Sequence, residues 1–149
     1  MEGSPVNGGR VMLTLTGCDA VVVALRGDKK APADFLGNSM SHIVTGMRKL
    51  QIPRVVVLSA MGAGDSVSGV GPFRRIALST LGKKELEDLS NMERIVTESD
   101  LEWTVMRPAR LTDDEPTAEP KIGTDYGDGM KPVSREDVAI SVIDEIEKA

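Results

Sequence analysis

Three short apolar runs, each breaking into small or polar residues, organise this chain: Asp19-Ala-Val-Val-Val-Ala-Leu25, Val55-Val-Val-Leu58 and Trp103-Thr-Val-Met106. Runs that stay apolar at successive positions, without alternation, predict parallel strands buried on both faces. Arg26-Gly27-Asp28 ends the first and Ser59-Ala60-Met61-Gly62 the second. Arg107-Pro108 ends the third, because proline has no N–H to give the ladder and restricts the residue before it. Between the first two runs, Phe35, Leu36, Met40, Ile43, Val44, Met47 and Leu50 recur at spacings of three and four, which predicts an amphipathic helix over 36–50. A strand, helix, strand unit of this kind connects its strands in parallel with a right-handed crossover. Gln51-Ile52 supplies the return loop, and Pro53 stands at the second strand's entrance, where a missing N–H is tolerated.

A second helix is predicted over 78–98, with Leu81, Leu86, Leu89, Met92, Ile95 and Val96 on one side and Lys and Glu on the other. Ser134-Arg-Glu-Asp137 opens a third as a capping box in which Asp replaces the usual Glu or Gln. Val138, Ile140, Val142, Ile143 and Ile146 form its expected apolar face. The stretch 62–71 carries four glycines and two serines without periodicity, and reads as an exposed, flexible loop on the substrate side. The acidic segment 111–120 reads as a solvated loop and 121–124 as a short strand. Residues 8–16, with Val11, Leu13 and Leu15, suit an alternating strand or a short helix equally. The elements together predict an α/β fold: a doubly wound, mainly parallel sheet with helices on both faces, in one domain over 1–149.

Composition narrows the chemistry. A net charge of −5 with no basic block argues against nucleic acid or anionic membrane partners. The longest apolar run, Ala20 to Leu25, is far too short to cross a bilayer, and the first residues lack both parts of a signal peptide, so a cytoplasmic location is expected. One cysteine, Cys18, and one histidine, His42, predict neither a disulfide nor a structural metal site. Cys18 reads as an inert small hydrophobe and Trp103 as a core residue.

The succession Gly17-Cys-Asp-Ala-Val-Val-Val23, Arg54-Val-Val-Val-Leu-Ser59, Glu98-Ser-Asp-Leu-Glu-Trp-Thr-Val-Met-Arg-Pro108 and Val133-Ser-Arg-Glu-Asp-Val-Ala139 resembles the atypical short-chain dehydrogenase/reductase group with NAD(P)H-binding domains. Within it the chain looks most like the NmrA-like proteins and the flavin reductase/biliverdin-IXβ reductase branch. Such proteins open with a strand, a glycine-rich turn and a helix that holds pyrophosphate. No such segment precedes Met1, so the resemblance covers the last two-thirds of an N-terminally truncated Rossmann-like domain. The missing first strand would normally lie beside the Ala20–Leu25 strand. Its absence implies an unpaired sheet edge that invites homo-oligomerisation or aggregation.

The resemblance also implies roles. Leu25, Arg26 and Gly27 match the loop against the cofactor's ribose and phosphates, with Arg26 pairing phosphate. Ser59, Ala60 and Met61 match the loop beside the nicotinamide, with Ser59 the candidate catalytic hydroxyl and Ala60 where a second hydroxyl is common. Pro108, Ala109 and Arg110 match the turn that backs the nicotinamide and its carboxamide. Gly3, Ser4 and Pro5 fall beside the adenine, Ser4 replacing an acid. The implied cofactor is NADP, with NAD as the alternative. The implied reaction is hydride transfer from NADPH to a small-molecule acceptor such as a flavin, quinone or tetrapyrrole. The alternative is a non-catalytic dinucleotide sensor or interaction module, or an inactive fragment.

Other chemistries fit less well. Tyr126 has Met130, not Lys, four residues on, so the Tyr-x-x-x-Lys proton relay is absent. Gly62-Ala-Gly64 has Val67 at the third glycine position of a dinucleotide fingerprint. Leu58-Ser-Ala-Met-Gly62 is not a Gly-x-Ser-x-Gly elbow. His42 reads as a solvent-facing or core-edge residue and Arg107 as an anchor for the proline turn; Glu93 and Arg94 fall near where the resemblance places substrate, and are read in preference as helix-surface ion-pair partners.

Overall fold

Strands β1 (Ala20–Val23), β2 (Arg54–Leu58) and β3 (Glu102–Met106) lie side by side in that order, all parallel, in a computed structural model that describes residues 3–28, 30–68, 82–117, 122–124 and 131–148. The register aligns Val21 with Val55 and Trp103, and Val23 with Val57 and Val105. Paired residues share a face. Against this face pack α2 (Phe35–Leu50) and α3 (Lys83–Thr97), and α1 (Gly8–Leu15) packs on α2. The main core joins Val23, Val55 and Val57 to Met40, Val44 and Met47 of α2 and to Leu89, Met92 and Val96 of α3. On the opposite face α4 (Arg135–Glu147) covers β2 with Val138 and Val142 against Val56.

Helix ends follow from the sequence in two different ways. Ser134 caps α4 as its motif predicts, its Oγ accepting from the Asp137 backbone N–H at 2.9 Å. Asp34 makes no such bond for α2. Asp88 of α3 does that work instead, accepting from the Leu36 and Gly37 N–H groups at 2.8 and 2.9 Å. A buried carboxylate thus locks two helices by meeting the orphan donors of one. Residues 8–15 resolve to helix because Asn7 caps them through the Arg10 N–H and because Val11 and Leu15, four apart, both reach α2. Gly46 permits that approach: a Cβ there would lie 2.9 Å from Leu15 Cδ1.

Several expectations need correction. β1 is not buried on both faces, since Val22 is 45 % exposed on the side where no described helix covers it. Trp103 is exposed, because it lies near the start of β3, at the sheet's other border among the described strands. Ile140 and Ile143 are exposed too, because only the Val138–Val142 side of α4 meets the sheet. Cys18 is also exposed, its Sγ 3.6 Å from the Thr14 carbonyl. The acidic segment is not wholly loop: β4 (Leu111–Thr112) pairs in parallel with β5 (Val133–Ser134). Residues 122–124 carry no strand. Positions 69–71, 78–81, 118–121 and Tyr126 lie outside the described residues.

Candidate functional site

The carboxyl ends of the three strands set the site, since parallel, in-register strands deliver their following loops to one edge of the sheet. The Ser59 N–H donates to the Met106 carbonyl at 2.8 Å, extending the ladder one step past β2. The Met61 N–H then donates to the Pro108 carbonyl at 3.3 Å. These two bonds bring Ser59–Met61 and the Pro108–Arg110 turn together. The Arg110 carbonyl accepts from the Val133 N–H at 2.9 Å, tying the same turn to β5.

Ser59 Oγ is buried at this junction and finds no hydrogen-bond partner among the described residues. Leaving a buried hydroxyl unmatched costs about 1–3 kcal/mol, so such a group calls for an explanation. Ala60 is half-buried against the core, and Met61 is buried. At the neighbouring strand end, Leu25 packs on the core while Arg26 projects outward, with its Nε 3.3 Å from Glu85. Gly27 lies against Ala31 and Phe35. Gly3, Ser4 and Pro5 stand apart from these strand ends in sequence and bonding. Gly3 lies against the Arg10 side chain, and the Ser4 carbonyl accepts from Asn7 within its own turn.

Over its described part, 62–68, the stretch after β2 is not the exposed, flexible loop expected. Gly62, Ala63 and Ser66 are buried, and 64–68 wind into a 3-10 helix. Ser66 Oγ accepts from the Gly62 N–H and donates to the Ala63 carbonyl. The Gly64 N–H donates to Ser90 Oγ of α3 at 2.9 Å. Gly64 adopts φ +57°, and a side chain there would collide with the Glu93 carboxylate.

That carboxylate is the feature the sequence reading missed. Glu93 is buried, not a surface ion-pair partner, and its two oxygens accept from Arg107 Nε at 3.0 Å and Nη2 at 2.7 Å. Arg107 Nη1 lies 2.7 Å from Asp65 on the 3-10 helix. One guanidinium therefore ties the turn after β3, helix α3 and the loop after β2. The bidentate fork fixes its plane. A signal was present: Glu93 continues the apolar stripe of Leu86, Leu89, Met92 and Val96, where an acid needs a buried partner. Arg94 behaves as expected, pairing with Glu98 at the surface. His42 is half-buried beside Gly8.

A second network lies away from these loops. Arg54 donates to the Glu102 carbonyl at 3.1 Å and to the Glu145 carbonyl at 2.7 Å, and it pairs with the Glu145 carboxylate at 3.2 Å. The Thr104 hydroxyl donates to the same carboxylate at 3.0 Å. That bond foremost, then Lys148 and Arg54, hold Glu145 below the usual carboxylate range against the opposing effect of burial. Asp100 is lowered likewise, chiefly by its bond to Arg48.

The family model for NAD(P)H-binding domains matches residues 2–149. The chain belongs to the NAD(P)H-binding family. No curated protein sequence matches it. Among solved structures, a short-chain dehydrogenase/reductase from Veillonella parvula, determined in complex with NADP, superposes with a TM-score of 0.79 at 23 % identity, covering 100 % of this chain and 64 % of that one. ChuY, an anaerobillin reductase from Escherichia coli O157:H7, gives 0.77 at 16 % identity over 95 % of this chain and 65 % of that one. The oxidoreductase YlbE from Lactococcus lactis gives 0.75 at 17 % identity, over 98 % and 64 %. These likenesses establish a Rossmann-like fold. This NAD(P)H-binding-family chain spans about 64 % of the Veillonella protein's length.

The residues present fit one end of a nicotinamide dinucleotide. The unmatched Ser59 hydroxyl, beside the turn that Met61 and Pro108 close, is a polar group suited to a carboxamide or an acceptor atom. The pyrophosphate end has no Gly-x-Gly-x-x-Gly anywhere in the sequence to receive it. Among the described residues no cluster of His, Cys, Asp and Glu could hold a metal ion, and no described helix is long and apolar enough to cross a membrane.

Proposed function

We propose that this chain carries the nicotinamide-side half of an NAD(P)H-dependent reductase, acting on a small conjugated acceptor of the flavin, quinone or tetrapyrrole kind with NADP preferred. The observation that carries the reading is the buried Ser59 Oγ, without a partner among the described residues, at the junction of the two hydrogen-bonded loops. A bound dihydronicotinamide would supply the hydride. Ser59 would orient the reacting partners by hydrogen bonding, and Pro108, Ala109 and Arg110 would back the ring, held in register by the Met61 to Pro108 bond. Leu25 and Gly27 would line the adjacent strand end, with Arg26 free to turn from Glu85 toward phosphate. Acceptors of this class can take their proton from solvent, which fits a chain without the Tyr-x-x-x-Lys relay. At Gly3, Ser4 and Pro5 the adenine would meet Ser4 in place of the acid that the resemblance leads one to expect.

Titration with NADPH, read by nicotinamide fluorescence and by thermal stability, tests this directly. Binding with a raised Tm, weakened in Ser59→Ala and followed by oxidation of NADPH on adding a flavin or biliverdin, is the expected result. Binding without turnover would favour the sensor reading, to which Ala60 in place of a second hydroxyl already lends support. A folded chain that binds nothing would retire both readings.

A further inference from the structure

We infer that Glu93 is a positioning residue for the site at Ser59, a step that rests on the role proposed for that hydroxyl: by engaging Arg107, Glu93 keeps the guanidinium from capturing Ser59 Oγ, which stays available to a ligand. Leu58 pairs with Met106, and the Ser59 N–H donates to the Met106 carbonyl, so Ser59 and Arg107 are the next neighbours across β2 and β3. Side chains alternate along a strand, which puts both on the face of Val57 and Val105, where α2 and α3 pack. Arg107 meets Glu93 of α3 on that face.

A guanidinium beside a buried hydroxyl is a ready donor to it, and the hydroxyl oxygen gains by the bond. No such bond forms, since Ser59 Oγ has no partner among the described residues. The geometry of Arg107 explains the omission. Its Nε and Nη2 lie 3.0 and 2.7 Å from the two Glu93 oxygens, and its Nη1 lies 2.7 Å from Asp65. Because the guanidinium is planar, a bidentate grip on two of its nitrogens fixes the direction of every N–H. The two acids do not share this work equally. The Asp65 side chain is 82 % exposed, so water competes for its contact. Glu93 is 2 % exposed and wedged against Gly64, where any side chain would collide with it. The buried carboxylate therefore sets the plane of Arg107, and it acts on the site only through that guanidinium.

A double-mutant cycle on the whole chain tests this, with Ser59→Ala, Glu93→Gln and the two combined. Glu93→Gln keeps the buried volume but puts an amide donor where an acceptor oxygen stood, so one Arg107 N–H loses its partner and turns to Ser59. NADPH titration by nicotinamide fluorescence is the first readout. Ser59→Ala should weaken binding about tenfold in the wild-type background and less than about twofold in Glu93→Gln, where the hydroxyl is already engaged. Urea denaturation is the second readout and needs no nucleotide. Ser59→Ala should leave the midpoint unchanged or raise it in the wild-type background, because it removes an unmatched hydroxyl, and should lower it in Glu93→Gln, because there it removes a partner of Arg107. A purely structural Glu93 predicts no such change of sign. Equal effects of Ser59→Ala in the two backgrounds, by either readout, would overturn the inference. Failure of the wild-type chain to bind NADPH would instead retire the role proposed for Ser59, and the urea midpoints tell the two failures apart.

Discussion

Val21-Val22-Val23 and Val55-Val56-Val57 are the same tripeptide, paired residue for residue, and they live in different surroundings. All three valines of β2 are fully buried, whereas β1 buries only Val23 completely and leaves Val22 nearly half exposed. β2 has a strand on each side and a helix layer on each face. Among the described residues β1 has one neighbouring strand and one helix layer. An apolar run states that a strand can be buried, and the neighbouring elements decide whether it is.

The strongest way to break the comparison is to place a charge at its centre. Val56→Asp buries a carboxylate between sheet and α4 with no partner, and should destabilise by more than about 4 kcal/mol, so that the chain fails to fold in dilute buffer. Val22→Asp at the paired position should change stability by only about 0.5 kcal/mol. Urea denaturation of both variants checks this. Equal losses would mean that the second face of β1 is covered after all.

The same contrast recurs between adjacent acids and bases on α3. Glu93→Ala should cost about 3 kcal/mol, because it takes two charge-assisted hydrogen bonds from the buried Arg107 guanidinium, while Arg94→Ala should cost no more than about 0.5 kcal/mol. If the Glu93–Arg107–Asp65 tie also sets the two loops at the strand ends, NADPH affinity should fall in Glu93→Ala and recover partly in Glu93→Gln, which keeps a hydrogen-bond acceptor. Fluorescence titration alongside denaturation separates the two effects. A smaller loss, about 1 kcal/mol, is expected for Ser134→Ala, which removes the α4 cap seen in the sequence and leaves its apolar contacts intact.

Local signals carried most of the fold. The helical spacing over 36–50, the Ser134 cap and the Pro108 stop each depend on residues a few positions apart, and each appears in the structure as its chemistry requires. What was hidden depends on distant partners. Asp88 reads as a surface acid until the start of α2 is brought against it, 51 and 52 residues away. Glu93 reads as half of a surface pair until the end of β3 delivers Arg107. The glycines at 62 and 64 suggest flexibility, yet Gly64 is small because a buried carboxylate needs its space. At the candidate site, Ser59–Met61 and Pro108–Arg110 were legible as a pair because parallel strands leave their loops on one edge. Gly3–Pro5 rested on resemblance alone, and no described bond draws them to that edge.

The entrances of the two strands give the finest test. Where β1 begins with Ala20, β2 begins with Arg54, whose guanidinium reaches Glu145 on α4, and the Thr104 hydroxyl fixes the same carboxylate from β3. Because these contacts favour the ionised form, the pKa of Glu145 is lower in the folded chain than in the unfolded one. A carboxyl shifted this way contributes stability that is fully present above its unfolded pKa and is lost as pH falls through its folded pKa. Asp100, lowered by Arg48, acts in the same sense from the surface. The unfolding free energy should therefore decline on acidification from the ordinary carboxylate range downward, and Glu145→Gln should flatten part of that decline while leaving the Asp100 part in place. Denaturation curves of the two proteins at matched acidic and neutral pH measure the difference. If their profiles run parallel throughout, the Arg54–Glu145–Thr104 contact does not distinguish the anchored strand from the open one, and burial alone does.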